Sequence, residues 1–213
     1  MKETRTLFFA LALAGFVVSC GGGDDAPEST TTLTDNEAEA VAAVLGEQTG
    51  VAFESSVGSD SKLSIRFQTT GSQSVSLTES CPQGGTSTAE GTVDVTSASS
   101  SDVASNFDLT ATFTDCGEQT GEGKTLIMNG SVGLTGNIDM AFTFTGSEIS
   151  SVTGTASSDA NGSVDVSGDS ITSGTCGIDM KGNSVLSGST IATTFSGSLC
   201  GTTVAFSETE SIE

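Results

Sequence analysis

The chain has no histidine, no tryptophan and no tyrosine, and only 6 Lys+Arg among 213 residues. Without histidine, Ser-His-Asp and Cys-His nucleophilic catalysis lack their base. His-ligated zinc is excluded for the same reason. Without tryptophan or tyrosine, the aromatic platforms of sugar-binding sites are missing, which weakens a glycosidase reading of paired carboxylates. The few bases are scattered as Lys62, Arg66, Lys124 and Lys181 beyond the N-terminal region. That leaves no basic patch for nucleic acid, and no Gly-rich phosphate loop lies between a strand and a helix.

Acid dominates instead: 27 Asp+Glu give a net charge of -21. Such a body repels nucleic acid and anionic head groups. Acidity as a solvation device explains the charge, with attraction of cations as the alternative. Charged residues are nevertheless only 15%, so the polar surface comes from Ser, Thr, Gly and Asn. Thr and Val favour strands, while Gly and Asn favour turns.

Residues 1–19 read as an export signal. Lys2 and Arg5 form a basic start, and Leu7 to Val18 form an apolar run of 12 residues. That run is short of the roughly 20 that a spanning helix needs. It ends at Val17-Val18-Ser19-Cys20, an aliphatic, aliphatic, small, Cys pattern. Here the chain resembles bacterial lipoproteins. The resemblance implies a covalent lipid on Cys20, cleavage before it and an acylated new N-terminus; no other cofactor and no metal is expected. Three acyl chains, at about 0.8 kcal/mol per buried CH₂, exceed what stable anchoring requires. Loss of Lys2, Glu3 and Arg5 leaves 4 basic residues against 26 acidic ones, a difference of -22. Gly21, and not Asp, follows Cys20, which by the same resemblance favours the outer membrane. The partner so implied is the membrane, through the lipid anchor, with the protein or hydrophobic small-molecule partner left open.

Residues 20–33 read as the lipidated, flexible tether, rich in Gly, Asp, Ser and Thr. At roughly 5–6 Å × √n, its residues would hold the body on the order of 20 Å from the lipid. Residues 34–213 read as one β-domain with an N-terminal helix over 35–47. Thr34 and Glu37 form a capping box, and Ala38, Val41, Ala42 and Leu45 share one apolar face.

From residue 51 the period changes to two. Leu63, Ile65 and Phe67 alternate with polar residues; so do Phe107, Leu109, Ala111 and Phe113, and Ile138, Met140, Phe142 and Phe144. Turn signals stand at Asn161-Gly162, Gly136-Asn137 and Gly182-Asn183, and Asn129-Gly130 reads as a turn or as a bulge in a long strand. The expected fold is mainly β: an antiparallel meander of ten to twelve strands curling into a barrel, half-barrel or sandwich. A faint internal echo runs through "GTVDVTS" and "GSVDVSG", and through "NIDM" and "GIDM".

With Cys20 assigned to lipid, four cysteines remain: Cys81, Cys116, Cys176 and Cys200. Their wide spacing suits disulfides of an exported protein better than a four-Cys zinc site. Of three connectivities, the sequential one, Cys81–Cys116 and Cys176–Cys200, is the simplest. The body also resembles a loose group of bacterial envelope lipoproteins with Ser/Thr/Gly-rich strands, "C-x-x-G-G" and "F-x-x-C", here Cys81 to Gly85 and Phe113 to Cys116. That resemblance implies no activity.

The function expected is a membrane-anchored envelope lipoprotein with a non-enzymatic structural or binding role. The alternative is a carrier holding a lipid or other hydrophobic ligand inside a curled sheet. Its lining candidates are Phe107, Leu109, Phe113, Met140, Phe142, Phe144 and Phe195. Two small clusters read as background. Ser59 and Lys62 have Ser-x-x-Lys spacing without its companion motifs. Asp159, Asn161, Asp165 and Asp169 read as a hairpin turn with acidic flanks, with a weak calcium site as the alternative.

Overall fold

The computed structural model describes residues 27–34, 70–99, 101–145, 148–169, 171–188 and 190–211, with residues 36–45 except 39 and 43. The export signal, Cys20, residues 21–26, Ser59, Lys62 and the strand expected at Leu63, Ile65 and Phe67 lie outside these.

Eight strands follow one short helix, α1 (36–45). They are β1 (Gly71–Ser80), β2 (Thr86–Ala98), β3 (Asp102–Gln119), β4 (Thr125–Thr145), β5 (Glu148–Gly168), β6 (Gly174–Ser187), β7 (Thr190–Leu199) and β8 (Thr202–Ser211). They form one antiparallel meander in the order β1 to β8. Among the described residues β1 and β8 are not paired, so the sheet is open. Among the described residues there are eight strands against the ten to twelve expected of the domain, and β4 and β5 are each 21 residues long. At about 3.3 Å per residue each is on the order of 70 Å along its path.

The length has a cause that the Asn-Gly and Gly-Asn pairs hid. Gly136, Gly162 and Gly182 are not turns; each sits inside a strand. Each lies on the inward side, opposite a bulky neighbour. A Cβ on Gly136 would stand 2.5 Å from Phe107 Cζ, and one on Gly182 would stand 2.8 Å from Phe195 Cε1. Gly136 and Gly182 make room on the inner face for an aromatic ring from a neighbouring strand, and Gly162 for the backbone of Ser131 and Val132. The echo between residues 91 and 162 has the same root: Gly91 and Gly162 share a φ of 156° and both press on the neighbouring strand.

Inward residues alternate along every long strand, as in β3, where Val103, Ser105, Phe107, Leu109, Ala111 and Phe113 are all buried. The outer face carries Thr, Ser, Asn and Asp. One face on a core and one in water is the usual condition of an antiparallel sheet.

Helix α1 begins as its sequence indicates. The Glu37 carboxylate accepts the Thr34 N–H at 2.8 Å, and the Thr34 carbonyl accepts from the N–H groups of Glu37 and Ala38. Glu37, Ala38, Ala40, Val41, Val44 and Leu45 are buried, and none of the eight described helical residues is exposed. A helix lying on a flat sheet keeps an exposed back; none of the described residues of this one forms such a back. Val44 lines a recess with Cys81 and Ser87 from the β1–β2 side, and Cys116 of β3. Its neighbour Leu45 lines another with Ala160 of β5, Met180 of β6 and Phe195 of β7. In a flat sheet β3 and β7 would be roughly 19 Å apart at about 4.8 Å per strand. Two adjacent residues reach both flanks, so the sheet curves around the helix.

Candidate functional site

The hairpin turns fall at two ends. One end gathers the turns after Ser80, Gln119, Gly168 and Leu199; the other gathers those after Ala98, Thr145 and Ser187. Both disulfides, Cys81–Cys116 and Cys176–Cys200, lie at the first, which we call the stapled end. They follow the sequential pairing.

The first staple explains the spacing of its two motifs. Phe113 pairs with Gly130, but Cys116 pairs with Met128, so three steps of β3 match two of β4. One residue is extra, a bulge, and Asp115 takes it up at a φ of 47°. Both Phe113 and Cys116 therefore point inward, although their spacing is odd. Asn129 clasps the bulge: its Oδ1 accepts the Asp115 N–H at 2.8 Å and its Nδ2 donates to Asp115 Oδ1 at 3.1 Å. Asn129-Gly130 thus faces a bulge on β3 and is no turn. The Cys81-Pro82-Gln83-Gly84-Gly85 loop folds onto the same place. The Gln83 N–H donates to the Gly117 carbonyl at 2.9 Å, and the Gly117 N–H to the Gly84 carbonyl at 2.8 Å. Gly85 has a φ of 75°, and a Cβ there would collide with the Asp115 carbonyl. The motifs "C-x-x-G-G" and "F-x-x-C" are two halves of one unit, a turn sealed onto a bulge.

The second staple closes a tighter turn. Cys200 (φ 51°) and Gly201 (φ 76°) join Leu199 to Thr202. Two positive φ values in a two-residue loop suit the twist of the flanking strands. The usual signal there is Asn-Gly; Cys-Gly at 200–201 was the clue the sequence reading missed.

Residues 27–31 differ from the expected tether. Pairing of β7 with β6 stops at Leu199–Ile178, and beside the first residues of β6, on the side away from β5, this segment takes the place as a strap. The Thr30 N–H donates to the Thr175 carbonyl at 2.9 Å. The Thr175 N–H donates to Thr30 Oγ1 at 2.8 Å, and the Gly177 N–H to Ser29 Oγ at 2.9 Å. Thr31 Oγ1 donates to the Thr172 carbonyl at 2.7 Å. Ser and Thr hydroxyls stand in for strand carbonyls, so a run that looks like linker is part of the body. Residues 29–31 are thus part of the body, although they fall within the expected tether, 20–33.

Electrostatics are quiet. Burial pushes the Glu118 carboxyl up, while the Gln119 N–H, which donates to it, pulls it down. Glu122 is lowered by its hydrogen bond with Lys124 at 2.7 Å, and Lys124 is raised by the same contact. Glu122 also accepts from Asn36 of α1 at 3.3 Å.

The acidic cluster is dispersed along β5. Asp159 faces Lys181 at 3.8 Å, Asp165 accepts from Thr175 at 2.9 Å, and Asp169 accepts from the Thr125 N–H at 3.4 Å. Asn161-Gly162 passes through it in extended strand, which corrects the expected hairpin turn. Among the described residues no group of three His, Cys, Asp or Glu could hold a metal.

The lining candidates are brought together, but as packing. Phe107, Leu109, Phe113, Met140 and Phe142 are between 1% and 7% exposed and belong to one cluster with Val41, Val44 and Leu45. Phe195 packs against that cluster. Phe144 lies apart at the end of β4, 41% exposed. The two best-formed cavities among the described residues hold ≈ 70 and ≈ 20 Å³, against about 300–1,000 Å³ for small-molecule sites. The helix occupies the volume a ligand would need.

Comparison with known proteins adds no family: no family model, no curated protein and no solved structure matches the chain.

Proposed function

We propose that this is a non-enzymatic envelope lipoprotein, anchored through lipid on Cys20, whose β-body serves a structural or binding role. The reading takes the sheet as a half-barrel whose helix acts as its plug. The supporting observation is the strap. The body is hydrogen-bonded to its own N-terminal segment at Ser29, Thr30 and Thr31, only nine residues along the sequence from Cys20 at the nearest. A short link from a rigid body to one cysteine suits a protein held at a surface. The filled interior favours a scaffold over a carrier, since an acyl chain would have to displace α1. Two disulfides, expected in oxidising compartments, agree with export.

The test is fractionation. Wild-type protein should sediment with membranes, and Cys20→Ser should be released to the soluble fraction. Sedimentation of Cys20→Ser at the wild-type level would remove the anchor reading.

A further inference from the structure

We propose that the Cys81–Cys116 disulfide is a thiol-exchange site that favours thiols carrying positive charge, while Cys176–Cys200 is a staple only.

The two bridges share one end of the body but not one environment. Cys81 and Cys116 both line the recess of ≈ 70 Å³. That is several times the roughly 10–15 Å³ that a single water needs, so a thiol group has room beside the bridge. Cys81 is 8% exposed and Cys116 is fully buried, which makes Cys81 the sulfur open to attack. The second bridge is covered. Cys176 and Cys200 are both fully buried, and the strap lies across them. The Gly177 N–H, next to Cys176, donates to Ser29 Oγ. A Cβ on Gly201, next to Cys200, would meet Ser29 Cβ at 3.7 Å.

Charge sets the preference. Glu79 and Glu118 line the recess, and among the described residues no base does. Burial raises the Glu118 carboxyl, so water screens its charge poorly. The nucleophile in exchange is the thiolate. Two carboxylates beside the bridge repel a thiol that bears a further negative charge and attract one that bears an ammonium group. The incoming thiol loses its proton to water, and its sulfur bonds to Cys81 Sγ. The S–S bond breaks, and its electron pair leaves on Cys116 Sγ, which takes up a proton. A mixed disulfide at Cys81 and a free thiol at Cys116 result. A dithiol reductant then uses its second sulfur to release Cys81 as a thiol and is itself oxidised to a disulfide.

The test exposes the full chain, disulfides intact, to cysteamine or to mercaptoethanesulfonate at low ionic strength, without denaturant. Alkylation stops the reaction, and peptide mapping reads each bridge. Each rate is divided by that of the same thiol on a small uncharged disulfide, which removes intrinsic reactivity. With cysteamine, Cys81–Cys116 should exchange about fivefold or more faster than Cys176–Cys200, the covered bridge. At Cys81–Cys116 the corrected rate for cysteamine should exceed that for the sulfonate by about threefold or more. The double variant Glu79→Gln/Glu118→Gln should cut that preference to less than about half. Equal rates at the two bridges, or exchange only once urea unfolds the chain, overturns the exchange site. Equal corrected rates for the two thiols on the wild type, or a preference that the double variant largely keeps, overturns the charge selectivity.

Discussion

The alanine variant of Gly85 tests whether the Cys81–Gly85 turn is sealed onto the bulge at Asp115. Gly85 has a φ of 75° and Gly123 a φ of 78°. Alanine at either position meets the same left-handed backbone, at about 1–2 kcal/mol. The surroundings differ. Near Gly123 the closest atom to a new Cβ is Gln119 Nε2, at 3.9 Å, an ordinary contact with a flexible side chain. At Gly85 the new Cβ meets the backbone of Asp115 and Thr114, which no rotamer change can move aside. Overpacking of that kind adds about 1–3 kcal/mol. Gly123→Ala should therefore cost about 1–2 kcal/mol and Gly85→Ala about 2–5 kcal/mol. The added difference of about 2 kcal/mol corresponds to about 4–8 °C in Tm for a chain of this size. Urea titration of both variants, unreduced, gives the comparison. Equal destabilisation would show that the turn does not press on the bulge, and the structural reading of the paired motifs would fail.

Other outcomes follow from the same structure. Cys81→Ser/Cys116→Ser and Cys176→Ser/Cys200→Ser open links across 35 and 24 residues; each pair should cost about 3–4 kcal/mol by loop-closure entropy, read as a lower urea midpoint. Asn129→Ala removes both hydrogen bonds to Asp115 and should cost about 1–2 kcal/mol; an unchanged midpoint would mean the clasp is idle. Glu118 is raised by burial, so its ionised form opposes folding above its folded-state pKa, and that opposition fades as pH falls through the carboxyl range. Glu118→Gln should therefore be more stable than wild type at neutral pH, with the gain shrinking in acid; urea midpoints at the two pH values measure it, and a gain that grows in acid would contradict the sign.

The strand pattern was legible because burial on one face imposes a period of two, and Phe107, Leu109 and Phe113 display it openly. The helix start was legible because Thr34 and Glu37 satisfy backbone groups through a local contact. The strand count was not legible. Asn-Gly is a turn signal only when the glycine supplies the turn, and at Gly136, Gly162 and Gly182 it supplies space for a neighbouring strand. That need depends on register, which local sequence does not state. The strap at Ser29–Thr31 was hidden for a related reason: hydroxyls that replace strand carbonyls look, residue by residue, like solvated linker. The lining candidates other than Phe144 share one inner face, yet whether α1 or a ligand fills that face depends on how far the sheet curls.

The central claim is that Cys20 ends as the lipid-bearing first residue of a body whose strap, Ser29 to Thr31, is hydrogen-bonded at the start of β6. Mass spectrometry of the N-terminal peptide from membrane-extracted protein tests it most directly. The account predicts a peptide that begins at Cys20 and carries a diacylglyceryl thioether and an amide-linked acyl chain. A peptide that begins elsewhere, or an unmodified Cys20 thiol, would contradict it.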